Sequence, residues 1–469
     1  MKKSNKNRLL TILSLLILTG VLTFTAFTGI LRKGDHAMIN PPKKILNDGP
    51  IKLKSSLDNC YYYDNDHVYL YLDVKAEPGS APYRRTPMNL AIVIDKSGSM
   101  SEKNKLDYVK RAVDYIIDKL GPDDYVSIVT YNDDVDVIQP SVNLSDKYDL
   151  REKVRDIKAG GYTNLSGGML EGFSQVNRSY SRGYVNRVLL LTDGLANRGI
   201  TDRYELADKV RDLNRRDGIT ISTFGVGLDY NENLLTDLAD YGRGNYYYIN
   251  NSVDIPEIFA QELNGVRSLV GAATKLRIKF PTEYLLLNKV YGYPYEISGN
   301  DVVIDFKDVF ADQTKSVLIK FDIKRKIDTK IDFESDLTYD DVQQNLKSTE
   351  VSDNQDLQPV TSSDDYKKGN NETVQQNISM FESNDMMENA LREADDGNYD
   401  RARTILKGAQ TYMDGQMNSV APSPEMKRQS ENMDKYGKDL ESIESKSADE
   451  KKEVQKSNKY DNYNTRKKQ

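Results

Sequence analysis

The sequence has few of the residue types on which several common protein chemistries depend. Cys60 is its single cysteine, and His36 and His67 are the only histidines among 469 residues. An internal disulfide bond needs two cysteines and a CxxC motif needs a pair, so both are excluded. A histidine-based catalytic triad is disfavoured for the same reason. We predict that Cys60 is a small buried residue without a chemical role.

Positive charge is not concentrated anywhere in the body of the chain. The 65 Lys and Arg residues are outnumbered by 72 Asp and Glu residues, which gives a formal net charge of -7. The body contains no block of basic residues interleaved with aromatic residues, as is typical of a nucleic-acid interface. We therefore expect no nucleic acid among the partners of this protein.

The amino terminus has the pattern of a segment that enters a membrane. Four basic residues precede an uncharged stretch at residues 9–31, and Arg32 and Lys33 close it. A helix of about 23 residues would cross the hydrocarbon core of a bilayer. The heavier basic cluster in front predicts that the body lies outside the cell. We expect either a single-pass anchor on the outer side of the cell membrane or a cleaved signal peptide, and the lack of disulfides suits a bacterial surface protein.

The central part of the chain alternates strand-like and helix-like segments. Residues 90–94 (LAIVI) and 187–192 (RVLLLT) are apolar runs of the kind that is buried on both faces of a sheet. Regular βα alternation predicts an α/β fold with a doubly wound, mainly parallel sheet. Ligands in such sheets bind at the carboxyl ends of the strands.

The flanks of this central part show other patterns. Alternating apolar residues before and after it predict the two halves of one β-sandwich, and the end of the chain is predicted to be helical. The predicted organisation is 1–33 signal anchor or signal peptide, 34–50 spacer, 51–85 first sandwich strands, 86–269 α/β domain, 270–352 further sandwich strands, 353–371 linker, 372–420 helical hairpin, and 421–469 a charged tail that is a solvated helix or disordered.

Polar residues follow both apolar strands at the point where each strand ends. Asp95-Lys96-Ser97-Gly98-Ser99 follows the first strand, and Asp193-Gly194 follows the second. The D-x-S-x-S spacing is short enough for one tight turn to bring a carboxylate and two hydroxyls together. Hard oxygen ligands of this kind suit magnesium, manganese or calcium. Taken alone, the pentapeptide is weak evidence for a metal site, because Ser, Gly and Asp are also common in ordinary loops.

The motif gains weight from a third segment, Gly160-Gly161-Tyr162-Thr163-Asn164, which lies between the other two. Together the three segments resemble the von Willebrand factor type A domain with its metal-ion-dependent adhesion site. The resemblance implies that Ser97, Ser99 and Thr163 are direct ligands of a divalent cation, with Mg²⁺ as the expected ion and Mn²⁺ or Ca²⁺ as alternatives. It also implies that Asp95 and Asp193 act mostly through water.

The same resemblance suggests a function. A cation held by neutral oxygens keeps much of its charge and recruits a Glu or Asp side chain of a partner protein. We therefore expect a cell-surface, divalent-cation-dependent module for adhesion or assembly, with no enzymatic activity. The alternative is a membrane-associated adaptor for an AAA+ ATPase or chaperone complex. More loosely, the flanks resemble bacterial relatives of inter-alpha-trypsin inhibitor heavy chains and calcium-activated chloride channel regulators.

Two further groups of residues have alternative interpretations. Asp133, Asp134 and Asp136 could form a second cation site, but a solvated hairpin is favoured. Tyr162 could contact a ligand at the rim of the metal site, although an exposed loop residue is the simpler interpretation.

Overall fold

The computed structural model describes residues 49–77, 85–144, 146–251, 253–266 and 269–467. The predicted anchor or signal peptide at residues 1–33 lies outside these ranges, as does most of the spacer at residues 34–50. Within the described ranges, no helix combines the length and the apolar character needed to cross a bilayer.

Three sheets contain the seventeen strands of the described residues. The strands are β1 (Ile51–Leu57), β2 (Tyr61–Tyr62), β3 (His67–Ala76), β4 (Met88–Asp95), β5 (Tyr125–Tyr131), β6 (Val135–Asn143), β7 (Val185–Thr192), β8 (Thr220–Val226), β9 (Arg243–Ile249), β10 (Leu269–Lys279), β11 (Leu285–Tyr291), β12 (Glu296–Ser298), β13 (Asp301–Phe310), β14 (Thr314–Ile323), β15 (Ile331–Asp341), β16 (Lys347–Ser352) and β17 (Gln355–Pro359).

Eleven α-helices occur in the same part of the chain, six of them among strands β4 to β10 and five after β17. They are α1 (Lys105–Lys119), α2 (Lys147–Arg155), α3 (Leu165–Arg178), α4 (Arg203–Asp217), α5 (Glu232–Tyr241), α6 (Ile255–Val266), α7 (Ser363–Lys368), α8 (Glu372–Asp395), α9 (Tyr399–Ser419), α10 (Pro424–Ser442) and α11 (Ala448–Lys467).

The central sheet has the order β6-β5-β4-β7-β8-β9, and every pair except β5 with β6 is parallel. All residues of β4 and β7 are buried, because helices cover both faces of the sheet. Side chains of β4 alternate between the two layers: Ile92 packs with α1, α2 and α6, whereas Val93 packs with α3, α4 and α5. The predicted doubly wound α/β fold is confirmed.

The flanking strands form two further sheets that pack face to face. One has the order β1-β3-β14-β11, and the other has the order β12-β13-β10-β15-β17-β2 with β16 paired to β15. Leu70 of β3 and Val317 of β14 share one apolar core with Leu276 of β10 and Phe333 of β15. Strands from before and after the central domain therefore build one β-sandwich, as the alternation predicted.

The helical end of the chain packs against both other parts. Val374 and Phe381 of α8 lie on the outer face of the four-stranded sheet. Helices α8, α9 and α10 share a core that includes Leu391, Leu406 and Tyr436. The last helix, α11, places Tyr463 in the core of the central domain.

The structure corrects two predictions about polar segments. In the predicted linker at residues 353–371, β17 pairs with β15 and β2 and buries Leu357, and α7 follows it. In the predicted solvated or disordered tail at residues 421–469, α10 and α11 are packed helices. Each segment also packs against a part of the chain that is distant in sequence, β2 for the predicted linker and the central domain for the tail, so local composition carries little sign of the packing.

The prediction of a buried Cys60 is wrong, because its side chain is exposed. Its neighbours Asp58 and Asn59 take the buried positions instead. Asn59 donates a hydrogen bond from Nδ2 to the carbonyl of Tyr366 at 2.9 Å, which fixes the direction of the chain here.

Candidate functional site

The candidate site lies where the two innermost strands of the central sheet end. Asp95 is the last residue of β4, and Asp193 follows directly after β7. The two strands are neighbours, but the chain continues from β4 towards β5 on one side and from β7 towards β8 on the other. A sheet of this kind opens a crevice at the point where the strand order reverses. Both carboxylates therefore face the crevice in which a ligand is expected.

Asp95 is held by hydrogen bonds to both carboxylate oxygens. Its Oδ1 accepts from the backbone N–H of Ser97 at 2.8 Å, and its Oδ2 accepts from the hydroxyl of Thr192 at 2.7 Å and from that of Tyr131 at 3.3 Å. Complete burial raises the pKa of Asp95 to about 6, although hydrogen bonds from Ser97 and Thr192 act in the opposite direction. The carboxylate is thus rigidly oriented below the surface of the site.

The two serines form a short connection between the strand ends. A 3₁₀ turn at Gly98–Ser101 places the Oγ of Ser97 3.2 Å from the Oγ of Ser99. Ser99 then donates from its hydroxyl to Oδ1 of Asp193 at 2.8 Å. Ser99 therefore links the hydroxyl of Ser97 to the second carboxylate through two contacts of hydrogen-bonding length.

Thr163 reaches the same place from a separate loop. The backbone N–H of Gly98 donates to the carbonyl of Gly161 at 3.0 Å, which joins the two loops. Thr163 donates its own N–H to Oδ1 of Asn197 at 2.8 Å. A β-carbon at Gly194 would lie 3.4 Å from Oγ1 of Thr163 and 3.3 Å from Oδ2 of Asp95. Glycine therefore keeps open the small space that both oxygens border.

The structure thus brings all five predicted residues together around one crevice: Asp95, Ser97, Ser99, Thr163 and Asp193. Four of them are buried and Ser99 is half-buried. Their oxygens are three hydroxyls and two carboxylates, and this donor set fits a hard divalent cation. Among the described residues, no group of three or more His, Cys, Asp or Glu side chains could share a metal ion.

Sequence reasoning missed a buried lysine at this site. Lys105 begins α1 and is 2% exposed. Its Nζ donates to Oδ2 of Asp193 at 2.6 Å and to Oδ2 of Asp229 at 3.0 Å. Burial acts to lower the pKa of Lys105, but the two carboxylates hold it above its ordinary value. The signal was the position of Lys105 four residues before Val109, on the apolar face of the helix.

The rim of the crevice combines apolar and charged side chains. Tyr162, next to Thr163, and Leu195, next to Gly194, are 58% and 56% exposed. The guanidinium of Arg198 lies 4.5 Å from the centroid of the Tyr162 ring and pairs with Oδ1 of Asp133 at 3.1 Å. Tyr162 is thus an exposed loop residue, and it also stands beside the candidate site.

The structure separates the acidic residues considered for a second cation site. Asp133 pairs with Arg198, and Asp136 accepts from the Nζ of Lys96 at 2.6 Å. Asp134 is exposed. These contacts favour the solvated hairpin over a second cation site.

Comparison with known proteins supports this architecture. Residues 89–261 match the family described as von Willebrand factor type A domain. Over 206 residues the chain is 32% identical to the "Uncharacterized protein YfbK" of Escherichia coli (strain K12), which covers 44% of this chain and 36% of that protein. Over 297 residues it is 26% identical to inter-alpha-trypsin inhibitor heavy chain H3 of Pongo abelii, which covers 61% of this chain and 31% of that protein. The chain therefore spans about a third of the length of these curated relatives.

A solved structure, von Willebrand factor type A from Catenulispora acidiphila, resembles the whole architecture. It superposes with a TM-score of 0.67 at 16% sequence identity, and the match covers 89% of this chain and 97% of that one. At this level of identity the likeness concerns the fold alone. It extends beyond the central domain to the sandwich and the helical region.

Proposed function

Because residues 89–261 form a von Willebrand factor type A domain, we propose that this protein binds a partner protein through a divalent cation at the ends of β4 and β7. Domains of this type typically mediate protein–protein interaction or adhesion. One observation carries the proposal. The hydroxyl of Ser99 contacts both the hydroxyl of Ser97 and the carboxylate of Asp193, while Thr163 and Asp95 border the same space beside Gly194.

Each residue has a separate part in the proposed binding. Ser97, Ser99 and Thr163 would hold the cation through their hydroxyl oxygens. Asp95 and Asp193 would orient those hydroxyls and bound water, since Asp95 accepts the N–H of Ser97 and Asp193 accepts the hydroxyl of Ser99. When bound, the cation supplies a coordination position for a carboxylate of the partner. Mg²⁺ is the favoured ion, and Mn²⁺ and Ca²⁺ are the alternatives.

The exposed rim fits the same role. Tyr162 and Leu195 offer apolar surface beside the crevice, and Arg198 adds a positive charge that is half exposed. A partner that inserts an acidic side chain would bring further contacts onto these residues. Specificity for the partner would then come from the rim and not from the cation.

We propose a role in binding and not in catalysis. Ser99 donates to Asp193, which is also paired with Lys105. The one histidine in the described ranges, His67, belongs to β3 of the sandwich and pairs with its neighbour Asp66. Nothing in this arrangement activates a serine hydroxyl as a nucleophile.

We also propose that the domain acts outside the cell, as a surface-anchored or secreted protein. The proposal rests on the basic residues and the uncharged stretch at the amino terminus, which lie outside the described residues. Protease accessibility on intact cells tests it. Digestion of residues 49–467 without lysis is expected, and complete protection would contradict an external location.

The cation is tested by titrating MgCl₂ and MnCl₂ into the full-length chain in a calorimeter. We expect saturable binding that Asp95→Ala reduces at least tenfold, because the hydroxyl-bearing turn loses the carboxylate that holds it. Asp134→Ala removes an exposed carboxylate from a nearby hairpin and is the matched control. Ser99→Ala supplies a second test if Asp95→Ala is unstable in EDTA.

Binding of a partner protein is tested with the same variants, each immobilised and exposed to the surface proteins of the native cell. The immobilised chain should capture a protein in MgCl₂, release it in EDTA, and capture it again when the ion is restored. Undiminished capture by Asp95→Ala would refute the proposed function.

A further inference from the structure

The site contains a fixed positive charge that the five-residue motif does not include. Lys105 places its ammonium 2.6 Å from Oδ2 of Asp193, so one of the two carboxylates of the site already has a cationic partner. The other oxygen of Asp193 accepts from Ser99 at 2.8 Å. Asp193 is therefore shared between the hydroxyl side of the site and the lysine.

The side chain of Lys105 is buried and packed in one defined position. Its stem passes Gly227, just after β8, where a β-carbon would lie 3.0 Å from Cε of Lys105. Gly227 has a φ of +76°, which also disfavours a side chain there. This packing places the ammonium between Asp193 and Asp229, and the Nζ of Lys105 lies 3.0 Å from Oδ2 of Asp229.

Asp229 connects this lysine to the last helix of the chain. The Nζ of Lys452 on α11 donates to Oδ1 of Asp229 at 2.8 Å. Close by, the Nζ of Lys103 pairs with Oδ2 of Asp449 at the start of α11 at 2.7 Å. Alternating charges thus run from Asp193 through Lys105 and Asp229 to Lys452.

We propose that Lys105 is a resident cation that weakens the binding of a divalent ion. We also propose that α11 strengthens the ion pair between Lys105 and Asp193, because Lys452 of α11 shares the carboxylate of Asp229 with Lys105. This inference rests on the proposed cation site. A divalent ion must bind beside a positive charge that already occupies part of Asp193, and like charges in a buried site repel strongly. The carboxylate of Asp229 is shared by Lys105 and Lys452, so removing Lys452 leaves Asp229 to draw Lys105 away from Asp193.

The direction of the effect separates this role from simple structural support. If Lys105 merely positioned Asp193, its removal would misplace a carboxylate of the site and weaken cation binding. If it acts as a competing charge, its removal tightens cation binding. Removal of Lys452 should also tighten cation binding, but by less, because Lys452 acts on Lys105 only through Asp229.

The experiment titrates MnCl₂ into the full-length chain and compares variants that each remove one positive charge. We expect Lys105→Gln to lower the Kd for Mn²⁺ about tenfold and Lys452→Gln to lower it about threefold. Lys119→Gln is the matched control, because it removes an exposed lysine from the far end of the same helix and should leave the Kd unchanged. Circular dichroism and thermal unfolding in EDTA check that each variant is folded.

The outcomes distinguish this inference from the proposed function. Absence of Mn²⁺ binding by the wild-type chain would refute the cation site itself. Wild-type binding with an unchanged or raised Kd in Lys105→Gln would overturn the resident-cation role and leave the cation site standing. If Lys105→Gln does not fold, Lys105→Met, which keeps the unbranched stem of the side chain without its charge, decides in the same way. A Kd that falls in Lys105→Gln but not in Lys452→Gln would overturn the part played by α11.

Discussion

The candidate metal site and the last helix use charged side chains in opposite ways. At the strand ends, Asp95 accepts hydrogen bonds from neutral hydroxyl and N–H groups, and Asp193 shares one lysine with Asp229. Along α11, Lys456 and Lys459 pair with Glu232 of the central domain. The strand ends therefore keep acceptor oxygens in excess, whereas at the helix interface the buried carboxylate of Glu232 is shared by two lysines.

The difference explains why one region suits binding and the other suits docking. Acceptor oxygens in excess can bind a cation from solution, so the occupancy of the strand ends depends on the concentration of that cation. Buried charges with partners on the opposite surface hold two parts of one chain together. Tyr463 adds an apolar contact to this docking, since its ring packs edge-on against Tyr246 at 5.5 Å.

The largest expected effect is at the docking surface. Tyr463 is 4% exposed, and its hydroxyl accepts the backbone N–H of Tyr246 at 3.1 Å. Tyr463→Ala removes a buried ring and leaves a cavity, so we expect a loss of about 4 kcal/mol in the free energy of unfolding. Urea denaturation measures it. Tyr204→Ala, at a tyrosine that is 70% exposed, should change stability by less than about 0.5 kcal/mol. Equal losses in both variants would contradict the packing of α11.

A smaller effect is expected from the ion pairs of the same surface. Burial acts to raise the pKa of Glu232, but Lys459 and Lys456 outweigh it and lower that pKa to about 2. Because this pKa lies below the ordinary value of 4.5, the ionised Glu232 stabilises the fold fully above about pH 4.5, and that stability is lost as the pH falls towards 2. A shift of this size corresponds to about 3 kcal/mol.

Glu232→Gln checks this pH dependence. Urea denaturation of both proteins at several pH values should give a difference of about 3 kcal/mol at pH 7 that shrinks steadily below pH 4.5. A difference that stays constant down to pH 2 would assign the effect to packing and not to charge.

The smallest effect concerns the framework of the metal site. A β-carbon at Gly168 in α3 would lie 2.3 Å from Cδ1 of Tyr131, whose hydroxyl contacts Asp95. Gly168→Ala should force α3 away from the sheet and cost about 1–2 kcal/mol, partly offset by the better helix propensity of Ala. It should also raise the Kd for Mg²⁺, because Thr163 lies just before α3. Gly183→Ala, where no atom lies within 4 Å, is the control for both measurements.

The candidate site was predictable because its signals are local. Asp95, Ser97 and Ser99 occupy one turn at the end of a fully buried, mainly apolar strand, and Asp193 follows a second strand of the same kind. Apolar runs buried on both faces occur in parallel sheets, and parallel sheets gather their strand ends at one edge. The α/β fold and the convergence of these residues could therefore be predicted together.

The contacts of the helical end were not predictable in the same way. The sequence of α11 is rich in Lys, Asn and Glu, and by composition it resembles a solvated segment. Its buried residues, such as Lys456 and Asn462, are satisfied by Glu232 and Asn384, which lie far away in the chain. A charged residue is stable in the interior only when it has a partner there, and the residues near it in the sequence do not identify that partner.

By itself, then, the sequence determined the order of strands and helices in the central domain and the set of oxygens at the strand ends, because short-range periodicity and turn chemistry specify both. The tertiary structure alone decided that Lys105 reaches Asp193 and that α11 covers the central domain. Both features depend on the pairing of charges over long distances in the chain, which becomes defined only when the packed fold brings the partners within a few ångströms of each other.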